Sequence, residues 1–254
     1  MKTEILYEDN SILVIRKPAG LAVQSAGIGQ ADVVSELKSH LAKLPGAGRP
    51  GKGEPYLGIV HRLDQPVEGL LVFAKDKKAA AALSKQLAEG ALNKHYYAVL
   101  CGYPDCPEGD LVDYLRKEGN VAVAVTGREQ EFADAKIAAL HYRILEEIND
   151  PSPLALADVT IGTGRFHQIR VQFAHAGFPL LGDTKYGTAA RKEAMPAQKY
   201  RGVALCAYSL ERVHPVSWKK MGFRVVPKNP AFAGFAMEEL KKLTENETGI
   251  SKRG

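Results

Sequence analysis

The sequence predicts an α+β protein built on a mixed, largely antiparallel sheet flanked by helices. Three observations carry this expectation. Candidate strands outnumber candidate helices and often follow one another directly, which is the α+β order rather than a regular strand–helix alternation. The 254 residues are 45% hydrophobic and 25% charged, with 24 Gly and 14 Pro, a balance that suits a globular chain able to bury a sizeable core. No internal repeat and no linker divides the chain, so residues 1–243 are expected to form one domain and 244–254 a disordered tail.

Glu4–Tyr7 and Ile12–Arg16 read as short strands around the turn Glu8-Asp9-Asn10-Ser11, and Lys17-Pro18-Ala19-Gly20 ends the second with turn chemistry. Ala31–Leu44 carries helical apolar spacing at Val33, Val34, Leu37, Leu41 and Leu44. Pro45–Pro55 is a Gly/Pro/basic run with no core-forming residue and reads as a loop. After it comes His61-Arg62-Leu63-Asp64, read as the mouth of a strand, and then the apolar strand Gly69–Lys75. Lys77–Glu89 is an alanine-rich helix ended by Gly90. Lys94–Gly102, Phe132–Glu146 and Leu154–Ile161 read as further strands, and His167–Ala176 as a short helix capped by Gly177. A last strand is expected near Val203–Val213 and a closing helix near Phe232–Leu243.

Several classes of function are excluded or disfavoured at this level. No stretch of about 18 apolar residues exists, so no membrane-spanning helix is expected. The start Met1-Lys2-Thr3-Glu4-Ile5 lacks the apolar core of a signal peptide. Cys101, Cys106 and Cys206 are too few and too badly spaced for a disulfide framework or a Cys-x-x-Cys metal site. They read as thiols of a reducing cytoplasm, and no metal is expected. Charge is informative in its distribution. The net charge is +5, yet residues 190–228 hold nine Lys or Arg (Arg191, Lys192, Lys199, Arg201, Arg212, Lys219, Lys220, Arg224, Lys228) against Glu193 and Glu211. Such clustering is how a surface follows a polyanion, although a solvated basic face has the same composition. Tyr200, Tyr208, Trp218 and Phe223 are interleaved with these charges and offer faces on which bases could stack.

The most informative stretch is His61-Arg62-Leu63-Asp64, followed by Gln65-Pro66-Val67-Glu68-Gly69 and Leu70-Leu71-Val72-Phe73. At extended spacing, side chains two residues apart point the same way. Arg62 and Asp64 are therefore aimed together above a buried strand, and Pro66 keeps Gln65 out of a helix. Two further segments raise the specificity. Lys94-His95-Tyr96-Tyr97 opens a strand with tyrosines on alternate faces, so one of the two is expected in the core. Gly162-Thr163-Gly164-Arg165-Phe166-His167-Gln168-Ile169-Arg170 leads from a strand through a glycine turn into a helix, with Gly182-Asp183-Thr184-Lys185-Tyr186-Gly187 beyond it. Gly69 and Gly164 are both expected to serve sharp turns.

In this order, and with the opening Tyr7-Glu8-Asp9 to Lys17-Pro18-Ala19-Gly20, these segments resemble the RluA-type family of pseudouridine synthases over roughly Ile5 to Tyr208. The resemblance implies the pseudouridine synthase fold, with a catalytic cleft across the sheet. It also implies conversion of selected uridines in structured ribosomal or transfer RNA to pseudouridine, without a cofactor, by breaking the N1 glycosidic bond and rejoining the base through C5. By the resemblance Asp64 is the catalytic carboxylate, Tyr96 packs on the base, Arg165 pairs with Asp64, and Arg62 helps to hold the nucleotide out of its stack. His61, His167 and Arg170 belong to the same motifs and are placed near the substrate, although both histidines also suit local hydrogen bonds that fix the motif backbone. Lys219 and Lys220 are taken as RNA contacts of the basic segment.

The residue types fit that chemistry. Leaving the glycosidic carbon builds positive charge on the sugar, which a carboxylate stabilises by charge or by covalent attack. Alternatively it takes a proton from the sugar. Either way it must stay ionised in a pocket dry enough to grip uracil, and a guanidinium, always charged and able to make two hydrogen bonds, suits that need. A tyrosine offers a flat face to the base and a hydroxyl for the proton lost from C5. Extruding the base costs a few kcal/mol, part of which Arg62 could offset by filling the gap.

The chain departs from the family where Val67-Glu68-Gly69 stands in place of the common Thr-Ser-Gly, and Glu68 is expected to add negative charge near the site. No small N-terminal RNA-binding domain is expected before the catalytic part, so RNA affinity is assigned to the 190–228 segment and the Pro45–Pro55 loop, and a monomer is expected. Two other functions compete: a silent RNA-binding or ribosome-assembly factor of the same fold, and a nucleoside hydrolase using Asp64. The second lacks a convincing partner carboxylate.

Overall fold

The computed structural model describes residues 1–25, 27, 29–44, 54–90, 93–126, 134–149, 152–187 and 202–236. The chain divides into two compact units, Met1–Asn93 with Tyr208–Val225, and Lys94–Ala207 with Val226–Gly254.

In the first unit, β1 (Glu4–Glu8) and β2 (Ile12–Lys17) pair antiparallel, and β2 pairs antiparallel with β4 (Glu68–Ala74). The short β3 (Gly58–Ile59) also pairs with β4. Every residue of β2 and β4 is buried. Their near-continuous apolar runs therefore match strands covered on both faces rather than an alternating half-exposed pattern. Helix α1 (Val33–Leu41) buries Val33, Leu37 and Leu41 at helical spacing. Asp32 caps it by accepting from the Ser35 N–H at 2.7 Å, and α1 is shorter than the predicted Ala31–Leu44. Helix α2 (Lys77–Ala88) is capped in the same way by Asp76 and the Ala79 N–H at 2.8 Å.

The second unit contains β5 (Asn93–Cys101, from Lys94 onward), β6 (Glu108–Glu118), β7 (Val121–Val125), β8 (Lys136–Asn149) and β9 (Pro153–Ile161). Their order is β5-β9-β8-β6-β7, with every pair antiparallel. Helix α3 (Gln168–His175) lies against β6 and β7. Its Phe173 meets Tyr142 of β8 edge to face at 5.6 Å, and its Gln172 amide donates to the carbonyls of Leu111 and Ala138 and to Asp113.

Strand β10 (Leu205–Val213) matches the predicted strand near Val203–Val213, but it is not the last: β11 (Lys220–Arg224) returns antiparallel to it from Val213↔Lys220 to Ser209↔Arg224. The α+β expectation holds, with largely antiparallel strands and three α-helices among the described residues. β3, β6, β7 and β11 stand outside the predicted set. Where the closing helix near Phe232–Leu243 is expected to begin, the described residues form a 3-10 turn at Pro230–Phe232, and 233–236 are not helical. The later part of that helix and the 244–254 tail lie outside the described residues, as does most of the Pro45–Pro55 loop. No helix among the described residues is long and apolar enough to cross a membrane.

Candidate active site

Asp64 sits on a turn that neighbouring groups immobilise. His61–Asp64 is not part of a strand; it is the connection between β3 and β4. Its side chains nevertheless alternate, with His61 and Leu63 buried, Arg62 exposed and Asp64 half-buried. The buried pair anchors the segment and leaves the charged pair outward. The His61 Nε2 accepts the Val72 N–H of β4 at 3.3 Å, which fits the local role rather than substrate contact. The Val67 N–H donates to the Asp64 carbonyl at 3.1 Å and closes the turn. Within that turn, the Gln65 carbonyl accepts from the Gly20 N–H at 2.8 Å and from Lys17 Nζ at 3.0 Å, while the Gln65 amide donates to the Gly20 carbonyl at 3.1 Å. Arg62 makes no hydrogen bond or ion pair among the described residues.

Lys17 is the anchor of the Asp64 turn that sequence reasoning missed in this unit. It is 0% exposed, and its ammonium donates to the carbonyls of Pro18 (2.9 Å), Leu21 (2.7 Å) and Gln65 (3.0 Å). All three protons are used to tie the loop after β2 to the Asp64 turn. Burial pushes this ammonium down to about 7, against the opposing pull of the Asp64 and Glu68 carboxylates. The available signal was a lysine ending a wholly apolar strand, where a charge survives only if its hydrogen bonds are met.

Glu68 does not add free negative charge to the surroundings of Asp64. It is 3% exposed, and its Oε2 lies 3.5 Å from Arg16 NH2, itself buried on β2. Arg16 is registered with Leu70, two residues along β4 from Glu68, so the two side chains are diagonal neighbours across the ladder. Val67 joins the core. Gly69, opposite Lys17, takes φ +128, a left-handed value that a side chain would strain.

In the second unit, Tyr96 lies on β5 opposite Val159 of β9. Both Tyr96 and Tyr97 are buried, so the two faces of β5 are covered and neither tyrosine is the exposed one. The turn from β9 into α3 is welded to β8 by two side chains. Thr163 Oγ1 accepts the Ala139 N–H at 3.1 Å and donates to Gln168 Oε1 at 2.8 Å, and the Gln168 amide donates to the Ala139 carbonyl at 3.0 Å. Gln168 Oε1 also accepts the Arg165 N–H at 3.0 Å, and Arg165 Nε donates to the Ile137 carbonyl at 2.9 Å. Thr163 and Gln168 are thus positioning residues for Arg165, legible only as members of a motif whose other residues drew the attention.

Gly164 is in neither a left-handed nor a crowded position. The left-handed residue of the turn is His167, at φ 55. The His167 Nδ1 lies within hydrogen-bond distance, 2.7 Å, of the Tyr186 hydroxyl, which also accepts the Ala122 N–H at 2.8 Å. The ring also stacks on Phe166 at 3.8 Å. Arg170, placed near the substrate by its motif, is instead 4% exposed. It grips Asp183 with two bonds, Nε to Oδ2 at 2.7 Å and NH2 to Oδ1 at 2.8 Å. Asp183 Oδ1 also accepts the Lys185 and Tyr186 N–H groups. Arg170 therefore holds the Gly182–Gly187 turn onto α3 and is spent inside the fold.

The basic segment thins on inspection. Arg212 is buried, and Arg224 lies 3.7 Å from Glu211. Lys219, Lys220 and Lys228 are exposed. Arg191, Lys192, Lys199, Tyr200 and Arg201 lie outside the described residues.

Chemically, a half-exposed carboxylate on an immobilised turn and a guanidinium mounted through its backbone and Nε are groups that can stabilise charge developing on a sugar, and a phenol on a strand gives a flat face for a base. Comparison with known proteins places the chain. The model of the family described as RNA pseudouridylate synthase matches residues 11–175. Ribosomal large subunit pseudouridine synthase D of Zymomonas mobilis is 36% identical over 227 residues, 87% of this chain and 68% of that protein. The protein of the same name from Pseudomonas aeruginosa is 34% identical over 231 residues, 87% of this chain and 67% of that protein. The chain thus spans about two thirds of the length of these relatives. A solved structure of human RNA Pseudouridylate Synthase Domain Containing 1 has the same fold, with a TM-score of 0.71 at 19% identity, over 99% of this chain and 97% of that one. The chain belongs to the RluA-type family of RNA pseudouridine synthases, isomerases that convert uridine to pseudouridine in RNA.

Proposed function

We propose that this protein isomerises a uridine of ribosomal RNA, with Asp64 as the carboxylate that acts at the sugar, Tyr96 against the base, Arg165 supplying the matching positive charge, and Arg62 facing the RNA. The observation that carries the assignment of Asp64 is its mount. The turn is fixed by Val67, Gly20 and the buried Lys17, while the carboxylate itself stays half-exposed. In the reaction the N1–C1′ bond breaks, a C5–C1′ bond forms, and the proton that leaves C5 is balanced by one gained at N1. The ribosomal target is supported by the relatives in Zymomonas mobilis and Pseudomonas aeruginosa, whose names give the large subunit. On this reading the protein works as a monomer in the cytoplasm, where the RNA is assembled.

The test is to incubate unmodified ribosomal and transfer RNA with wild type and Asp64→Asn, then map pseudouridine. Wild type is expected to modify a defined ribosomal uridine and Asp64→Asn to lose at least a thousandfold in rate while keeping RNA affinity. Modification of transfer RNA alone refutes the target. RNA binding with no modification by wild type identifies a silent binding factor, and release of free uracil a hydrolase.

A further inference from the structure

We propose that Trp218, at the tip of the β10–β11 hairpin, is a stacking finger for an unpaired nucleobase of the RNA substrate, with Lys219 and Lys220 holding the adjoining phosphates. The proposal rests on the RNA-acting reading above and adds to it a contact that the motif residues do not provide.

Trp218 is the single tryptophan of the chain and is 73% exposed. Its backbone takes φ +58, a left-handed conformation that bulky residues rarely adopt. An exposed indole in a strained backbone position gives the fold nothing in return, and such outliers persist where the surroundings over-determine them. The surroundings here do so. The His214 N–H donates to the Lys219 carbonyl at 2.8 Å and the Trp218 N–H to the His214 carbonyl at 3.1 Å. The buried His214 ring accepts the Val216 and Ser217 N–H groups on Nδ1, at 3.2 and 2.9 Å. Its Nε2 therefore carries the hydrogen and donates to Asp9 Oδ2 at 2.7 Å. Asp9 is held in turn by the Tyr7 hydroxyl and by the Ser11 and Ile12 N–H groups. At the base of the hairpin, the Gln86 amide of α2 bonds both the N–H and the carbonyl of Val213. One imidazole thus organises the turn, and a carboxylate anchors the imidazole.

What this rigid mount presents is chemically specific. Val216, Ser217, Trp218, Lys219 and Lys220 are all exposed, and the indole makes no hydrogen bond or ring contact among the described residues. A flat aromatic face beside two ammonium groups is complementary to a base attached to a phosphate backbone. A second copy of this chain, itself of net charge +5, would meet the two lysines with like charge.

Because the chain has one tryptophan, intrinsic fluorescence excited at the indole reports this site directly. Titrating wild type with unmodified, transcribed large-subunit RNA is expected to quench the emission and to protect it from iodide. Trp218→Ala is expected to raise KM for the RNA roughly tenfold with kcat unchanged, and Trp218→Phe to restore most of the loss. Trp218→Gly separates binding from stability, since glycine takes this φ without strain: its melting temperature should equal or exceed that of wild type while its RNA affinity falls. Unchanged fluorescence on saturation with RNA, together with an unchanged KM for Trp218→Ala, overturns the proposal even where wild type forms pseudouridine. Quenching by RNA without pseudouridine formation instead overturns the catalytic reading and leaves the stacking site standing. A blue shift on raising protein concentration alone makes this face a contact between copies and also overturns the proposal.

Discussion

A lysine with no exposed surface and three carbonyl acceptors ties the Asp64 turn to the fold, and its protonation is a measurable property. Lys17 is pushed down to about 7 from an ordinary value of 10.5, mainly by burial. For a base lowered on folding, the unfolded chain holds the proton more tightly between those two values. Stability therefore carries the full cost below pH 7, and rises with pH from about 7 towards 10.5. Lys17→Met removes that dependence. The stability difference between wild type and variant in urea unfolding should shift in favour of wild type by roughly 3 kcal/mol from pH 7 to pH 9.5. Parallel pH profiles for the two proteins would refute the buried ammonium. Asp64, Arg62, Tyr96 and Arg165 could be named as candidates because their motif order is distinctive. Lys17, Thr163 and Gln168 could not, because what they do is satisfy backbone groups brought near by folding, and no sequence pattern records a carbonyl without a partner.

At the scale of elements, the pairing of β2 with β4 answers the question raised by the unusual Val67-Glu68. From sequence, Glu68 reads as a charge beside the site; the ladder turns it inward onto Arg16. Removing one member of such a buried pair takes a counter-charge away from the other. Glu68→Leu alone should therefore cost about 3–5 kcal/mol in unfolding free energy, whereas Arg16→Met with Glu68→Leu should recover most of it. A double variant no better than the single one would show that the two charges do not interact. The elements themselves were unevenly legible. β2, β4, β5, β9 and helices α1 and α2 announce themselves by apolar runs, helical apolar spacing and, for α2, the glycine that ends it. β6 and β7 do not, because exposed residues recur along β6 and its charges Asp110, Asp113, Arg116 and Lys117 dilute the apolar signal. The turn Gly119-Asn120 between the two strands was the usable clue. β11 is five residues long with only partial burial, below what period alone can identify. The helix expected over His167–Ala176 exists as Gln168–His175, but the left-handed residue of its entry is His167, held by the Tyr186 hydroxyl and the Phe166 stack, rather than a glycine.

For the molecule as a whole, a net charge of +5 says only that it is basic. What matters for RNA is how many of those charges can reach phosphate. Burial removes Arg212 and Arg170 from that set, and Arg224 is turned towards Glu211. Lys219 and Lys220 remain exposed on adjacent positions of one hairpin. Each lysine that neutralises a phosphate releases condensed counterions, and contributes about 0.7 to 0.9 to the slope of log affinity against log salt. Lys219→Ala with Lys220→Ala should therefore flatten that slope by roughly 1.5 and weaken binding uniformly across RNA sequences. Arg212→Met should leave the slope untouched, because a buried guanidinium has no counterions to release. Measuring the three slopes by filter binding between 50 and 200 mM salt, a range of about fourfold, distinguishes a hairpin that grips the backbone from a basic composition that merely surrounds it. An equal slope for wild type and the double lysine variant would remove the hairpin from the RNA face.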